Sequence, residues 1–272
     1  MLVLVLLLVG GCGSNGAEER RTAVNAYFAD VGKAQVVLVG RQAQINSTLQ
    51  GFSLTQSTAS ELRKLRDGRA EVARALHNVR AVQPPPDAER LHEMIVQRLQ
   101  LQFALLDELI ATAVYIPQVA ATAPPLQAAT LALRRNLGVA AGSPTVTSRS
   151  PGLSVYAAAF GGYGDALKPI SARLEALTAP PILRPSLDAE RRALTRSIAL
   201  SAAIRQALDR RDIAAANTSI HALFSVSGEL NGPRTQEQQA AAGRAYNARV
   251  RRIDALATRI DRERARLVQV VG

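Results

Sequence analysis

Between Ala17 and Phe52 apolar residues fall at Val24, Phe28, Val31, Leu38, Ile45, Leu49 and Phe52. Steps of three, four and seven place them on one stripe of a long helix, and Gln35 and Gln42 share that stripe. The run Val36-Val37-Leu38-Val39 is β-branched at three positions, but its flanks keep the helical period. Gly51 to Gln56 reads as a loop. Thr58-Ala-Ser-Glu61 is a capping box opening a second helix. Its stripe is Leu62, Leu65, Val72, Leu76 and Val79, and Pro84-Pro85-Pro86 stops it. A third helix starts at Asp87-Ala-Glu89, whose acids suit a positive helix N-terminus. It carries Leu91, Ile95, Leu99, Leu105, Leu109 and Ile116 and is expected to end near Pro117. The short proline turn before it predicts an antiparallel helical hairpin.

From Ala121 to Gly152 the character changes. A short amphipathic helix, Leu126 to Leu137, lies between Pro124-Pro125 and the tract Gly142 to Gly152, which reads as the main linker. A heptad helix follows through Leu153, Tyr156, Phe160, Tyr163, Leu167, Ile170, Leu174 and Leu177, with Gly161, Gly162, Gly164 and Pro169 expected to weaken or kink it. Pro180-Pro181 ends it, and Ser186 is the expected N-cap of a helix through Leu187, Leu194, Ile198, Ile204 and Leu208. Arg210-Arg211-Asp212 turns into a shorter helix through Ile213, Ile220 and Phe224. A loop from Ser227 to Arg234 is expected next. Thr235-Gln-Glu-Gln238 then caps a last long helix bearing Tyr246, Ile253, Leu256, Ile260, Leu267 and Val270.

The stripe Leu62 to Val79 superposes at constant offset on Phe160, Tyr163, Ile170, Leu174 and Leu177, and Asp-Ala-Glu-Arg recurs at Asp87–Arg90 and Asp188–Arg191. The fold class expected is therefore all-α, an antiparallel helical bundle with a duplicated hairpin and no β-sheet. The expected division is residues 1–11, a tether at 12–17, a first half at 18–120, the linker with its short helix at 121–152, and a second half at 153–272.

Composition supports helices: the chain has no Trp, few aromatics, and 47% hydrophobic residues, mostly Ala, Leu and Val. Lys33, Lys64 and Lys168 are its lysines, so the net charge of +11 rests on arginine, a usage that also follows from a GC-rich genome. The single cysteine, Cys12, excludes an internal disulfide, so apolar burial must hold the fold together.

The chain opens with the apolar run Leu2–Val9, of signal-core length and too short to span a bilayer, followed by Gly10-Gly11-Cys12. Val9-Gly10-Gly11-Cys12 resembles the lipobox of bacterial lipoproteins. That resemblance implies cleavage between Gly11 and Cys12 and acylation of Cys12, with palmitate-type chains. It further implies export, with a lipid anchor on the outer face of the cell membrane or in the outer membrane. Gly13 after the cysteine is similar to lipoproteins sent to the outer membrane. No Lys or Arg precedes the apolar run, which points to a start codon placed upstream of Met1. Gly13 to Ala17 is a flexible tether reaching about 12 Å, close to one Debye length. Anionic lipid or wall polymer near the membrane is the expected electrostatic partner, a protein bound through helical faces is another, and nucleic acid is not expected.

Glu89-Arg-Leu-His92 has the Glu-x-x-His spacing of carboxylate-bridged metal bundles, but the second hairpin reads Glu190-Arg-Arg-Ala193 and no metal is expected. His77 and His221 lack a carboxylate in useful spacing. There is no Gly-x-Ser-x-Gly elbow, Gly32-Lys33 lacks the rest of a phosphate loop, and Gly161-Gly-Tyr-Gly164 follows no strand. No enzyme and no cofactor are expected. The last helix sets Arg244, Arg249, Arg251, Arg252, Arg259, Arg262, Arg264 and Arg266 against Asp254, Asp261 and Glu263, the mixed signs of a solvated face. Tyr156, Phe160 and Tyr163 are candidate walls of an apolar ligand site, although their stripe also fits ordinary core packing. The functional expectation is a membrane-anchored, non-enzymatic helical bundle for protein or envelope contacts, with an apolar ligand site between the hairpins as the alternative.

Overall fold

The computed structural model describes residues 15–52, 58–138, 144–147, 152–230 and 233–271. In chain order the helices are α1 (Asn15–Gly51), α2 (Ala59–Ala81), α3 (Glu89–Ala120), α4 (Ala123–Leu137), α5 (Leu153–Ala176), α6 (Arg184–Asp209), α7 (Ile213–Leu230) and α8 (Pro233–Val271), with a 3-10 turn at Pro86–Ala88 before α3. The fold is all-α, with no strand among the described residues.

The chain's contacts divide it otherwise than into halves 18–120 and 153–272. One compact unit takes Met1–Phe52, Arg63–Asp107 and Ala248–Gly272, and the other takes Ser53–Leu62 and Glu108–Asn247. The first thus joins α1, most of α2, the larger N-terminal part of α3 and the last part of α8.

In the first unit α1 buries Val24, Tyr27, Val31, Leu38, Ile45 and Leu49. Tyr27 is the buried aromatic, and Phe28, expected on the stripe, is only half-buried. The box at the start of α2 forms as its sequence requires: Thr58 N–H donates to Glu61 Oε2 at 2.7 Å and Glu61 N–H to Thr58 Oγ1 at 3.2 Å. Gly68 lets α2 approach α1, since a Cβ there would lie 3.3 Å from Ile45 Cγ1. Glu71 is buried and holds Arg74 at 3.2 Å and Arg41 at 3.9 Å. From α3 and α8 come Leu91, Ile95, Leu99, Leu106, Ile253, Leu256, Ile260 and Leu267.

The second unit corrects four boundaries. α3 does not end at Pro117 but runs through it to Ala120, and Pro117 still accepts from Ala121 N–H at 3.1 Å. Proline removes its own donor and not its acceptor, so a helix in its last turn can carry it. α4 begins at Ala123 with Pro124-Pro125 in its first turn, where missing N–H groups cost nothing, and it ends on Gly138 in the left-handed conformation at φ 67°. α6 starts at Arg184, two residues before Ser186, because Leu183 and Arg184 N–H groups already bond to the Pro180 carbonyl at 2.9 and 3.0 Å. The expected loop at Ser227–Arg234 is mostly helix: α7 continues to Leu230 and α8 begins at Pro233 rather than at Thr235.

The expected linker is also part of this unit. Leu133 and Leu137 of α4 and Val146 beyond it are buried in the same core as Phe160, Leu167, Ile204 and Ile220. Asn217 of α7 clamps Val146, its Oδ1 accepting from Val146 N–H at 2.9 Å and its Nδ2 donating to the Val146 carbonyl at 2.8 Å. The glycines of α5 do not break it. Gly161 and Gly164 bring α5 against α6, where added Cβ atoms would lie 3.2 Å from Arg205 Cδ and 3.0 Å from Ser201 Cβ. The two Asp-Ala-Glu-Arg strings are used differently. Asp87 and Ala88 lie in the 3-10 turn before α3, whereas Asp188–Arg191 lies inside α6, where the Arg191 guanidinium donates to the carbonyls of Leu174, Glu175 and Leu177 at 2.8–3.1 Å.

α6 ends in a Schellman-type turn: Arg211 N–H bonds to the Leu208 carbonyl at 3.0 Å and Asp212 N–H to Ala207 at 2.9 Å, with Arg211 at φ 58°. Asp212 then caps α7 by accepting from Ala215 N–H at 3.0 Å. A left-handed arginine is strained where glycine is not. Arg211→Gly is therefore expected to stabilise the second unit by about 0.5–1 kcal/mol, read as a higher urea midpoint at unchanged m-value.

Candidate functional site

In the first unit, α1, α3 and α8 surround a cavity of about 140 Å³. The helical period explains its lining. Gln35, Leu38 and Gln42 follow the α1 stripe, Ile95, Arg98 and Leu99 share a face of α3, and Ile260, Asp261 and Arg264 come from α8. Gln35 and Gln42, the polar positions in an otherwise apolar seam, both line the cavity. Gln42 Nε2 donates to Asn46 Oδ1 at 2.8 Å, which fixes its amide.

Arg98 is the group that sequence reasoning missed. It sits between stripe residues of α3, and nothing in the local pattern marks it. Its Nε is buried with no hydrogen-bond partner, and so is Oε1 of Gln102 one turn along, a residue only 1% exposed. An unpaired buried polar atom costs about 1–3 kcal/mol, and more when charged. Burial pulls the Arg98 pKa below its ordinary value; Asp261 and Asp254 work against that shift and Arg264 adds to it. Arginine nevertheless stays charged. Nearby, Tyr27 Oη lies 3.4 Å from His92 Nδ1, with burial pushing the phenol up to about 12 and the imidazole below its usual value. Both groups are thus neutral at pH 7 and the pair is a hydrogen bond between uncharged rings.

The other candidates fall elsewhere. Phe160 is fully buried and Tyr163 nearly so in the core of the second unit, with Tyr156 packed against it. Glu89, His77 and His221 are exposed and His92 is half-buried, and no cluster of metal-ligating side chains occurs among the described residues. Glu190, which aligns with Glu89 in the repeated string, is held above the usual carboxylate range by burial, and it helps burial raise Tyr115 to about 12. On α8, Arg251, Arg252, Arg259 and Arg262 are exposed while Glu263 is buried against Arg266 at 2.6 Å. The lipobox Val9-Gly10-Gly11-Cys12 lies outside the described residues.

One stretch among the described residues, within Pro86–Leu137, is long and apolar enough to cross a membrane by length and composition. Leu99, Leu105, Leu106 and Leu109 within it are buried in the protein. Comparison with family models, with curated proteins and with solved structures finds no match.

Proposed function

We propose that the chain is an exported lipoprotein, anchored to a membrane through lipid on Cys12, whose helical part works by binding rather than by catalysis. Val9-Gly10-Gly11-Cys12 carries this reading: an apolar run, two small residues, and the chain's single cysteine in the lipidation position. Two or more acyl chains anchor stably where one binds only marginally, so the folded part is free for other contacts. The exposed arginines of α8 supply a face for anionic head groups or acidic wall polymer, and helical faces supply one for a protein partner.

The test is intact mass and detergent partitioning of the protein from its native membrane, beside Cys12→Ala. Wild type is expected to gain diacylglyceryl and acyl mass and enter the detergent phase, and the variant to remain aqueous. Unmodified, water-soluble wild type would remove the anchor and the localisation with it.

A second reading, a ligand-binding lipoprotein, is favoured by the cavity of the first unit. Its lining is half polar, with Arg98, Asp261, Arg264 and two glutamines beside Leu38, Val39, Ile95, Leu99 and Ile260, so the ligand it suits carries polar groups.

A further inference from the structure

We infer that the cavity of the first unit binds a small amino carboxylate, with Arg98 holding the carboxylate and Asp261 the ammonium group. The inference rests on the ligand-binding reading and does not depend on the lipid anchor. Three features of the lining select the chemistry. The first is the unpartnered Nε of Arg98, buried beside the cavity its side chain lines. A guanidinium presents paired donors that match the two oxygens of a carboxylate, and the partial desolvation of Arg98 strengthens such a bond.

The second is the mixture of signs. Arg98 and Arg264 bring two positive charges and Asp261 a negative one to the lining of the same cavity, and the Asp261 charge acts on Arg98. A dianion such as phosphate would gain from the arginines and lose to Asp261, and a simple amine would meet the reverse. A ligand carrying both charges satisfies both sides. Gln35 and Gln42 add amide donors and acceptors that suit either end.

The third is size. A cavity of about 140 Å³ is close to the engineered interior cavity of roughly 150 Å³ that accepts benzene. That admits about six heavy atoms, the size of alanine or γ-aminobutyrate.

The experiment is calorimetric titration of the full chain with alanine, γ-aminobutyrate, acetate, ethylamine and inorganic phosphate at low salt. Saturable binding of alanine or γ-aminobutyrate is expected, with acetate and ethylamine weaker by about tenfold or more, since each forfeits one charge-assisted contact. Arg98→Gln is expected to abolish binding with helical circular dichroism retained. Asp261→Asn, a near-isosteric change at an exposed position, is expected to bring alanine down to the level of acetate. The Asp261→Asn result stands even where Arg98→Gln fails to fold. Acetate or phosphate binding as tightly as either zwitterion would overturn the ligand class while leaving a binding cavity. Silence from all five probes would overturn the cavity as a binding site of this kind as well.

Discussion

Phe160→Ala is expected to lower the stability of the second unit by about 3–5 kcal/mol, the range for emptying a buried aromatic position. Phe160 is 0% exposed and shares its core with Leu133, Leu167, Ile204 and Ile220, contributed by four different helices. Truncation removes the transfer energy of the ring and leaves a cavity that helices fixed on several sides cannot close. Against a total of about 5–15 kcal/mol for a domain, that loss is a large fraction. The chain has no Trp, so urea unfolding followed by helical circular dichroism is the suitable measurement. Phe160→Leu should cost distinctly less, because the lost volume sets the size of the effect. A loss under about 1 kcal/mol for the alanine variant would place Phe160 at the wall of a ligand cavity instead of in a packed interior.

Gly164→Leu is expected to cost about 3 kcal/mol, the upper part of the range for overpacking. A Cβ at Gly164 would already lie 3.0 Å from Ser201 Cβ and 3.8 Å from the Ile198 carbonyl oxygen, both on α6. Ser201 is itself fully buried and its hydroxyl donates to the Ser197 carbonyl at 2.8 Å, so it has no second position to take. Gly162, two residues earlier in the same helix, provides the control. An added Cβ there meets nothing within 4 Å, so Gly162→Ala should stabilise by up to about 1 kcal/mol through helix propensity alone. Opposite signs at the two positions, read as shifts in urea midpoint, are the expected outcome. Destabilisation at both would mean that the helix needs flexible glycine and not close approach.

Most of the helices were legible because their signals are local. The α2 start follows from a four-residue box, and the α1 stripe from spacing alone. What escaped was decided by distant parts of the chain. Gly161 and Gly164 look like helix breakers until α6 is placed against them, since the sequence shows a missing side chain and not the neighbour that occupies its space. The tract before α5 has linker composition, yet Asn217, far along the chain, supplies both hydrogen bonds that hold Val146 in the core. The grouping of α1 with the end of α8 joins opposite ends of the sequence, and no local rule contains it. The candidate site divides in the same way. Gln35 and Gln42 could be read as polar interruptions of a seam, but Arg98 and Asp261 acquire meaning only when α3 and α8 face α1. The repeated Asp-Ala-Glu-Arg string shows the limit most plainly, because identical residues form a helix entry in one place and an interior turn in the other.

The guanidinium of Arg191 has one more consequence. The last carbonyls of a helix are ordinarily left to water or to a following glycine, and the end frays on its own. Here the carbonyls closing α5 are held by a side chain rooted in the body of α6, across the prolines that separate the two helices. Fraying at that end is therefore no private matter of α5. To unwind its last turn the molecule must also release Arg191, so the protection of that turn is borrowed from the helix that follows it, and the two open as one.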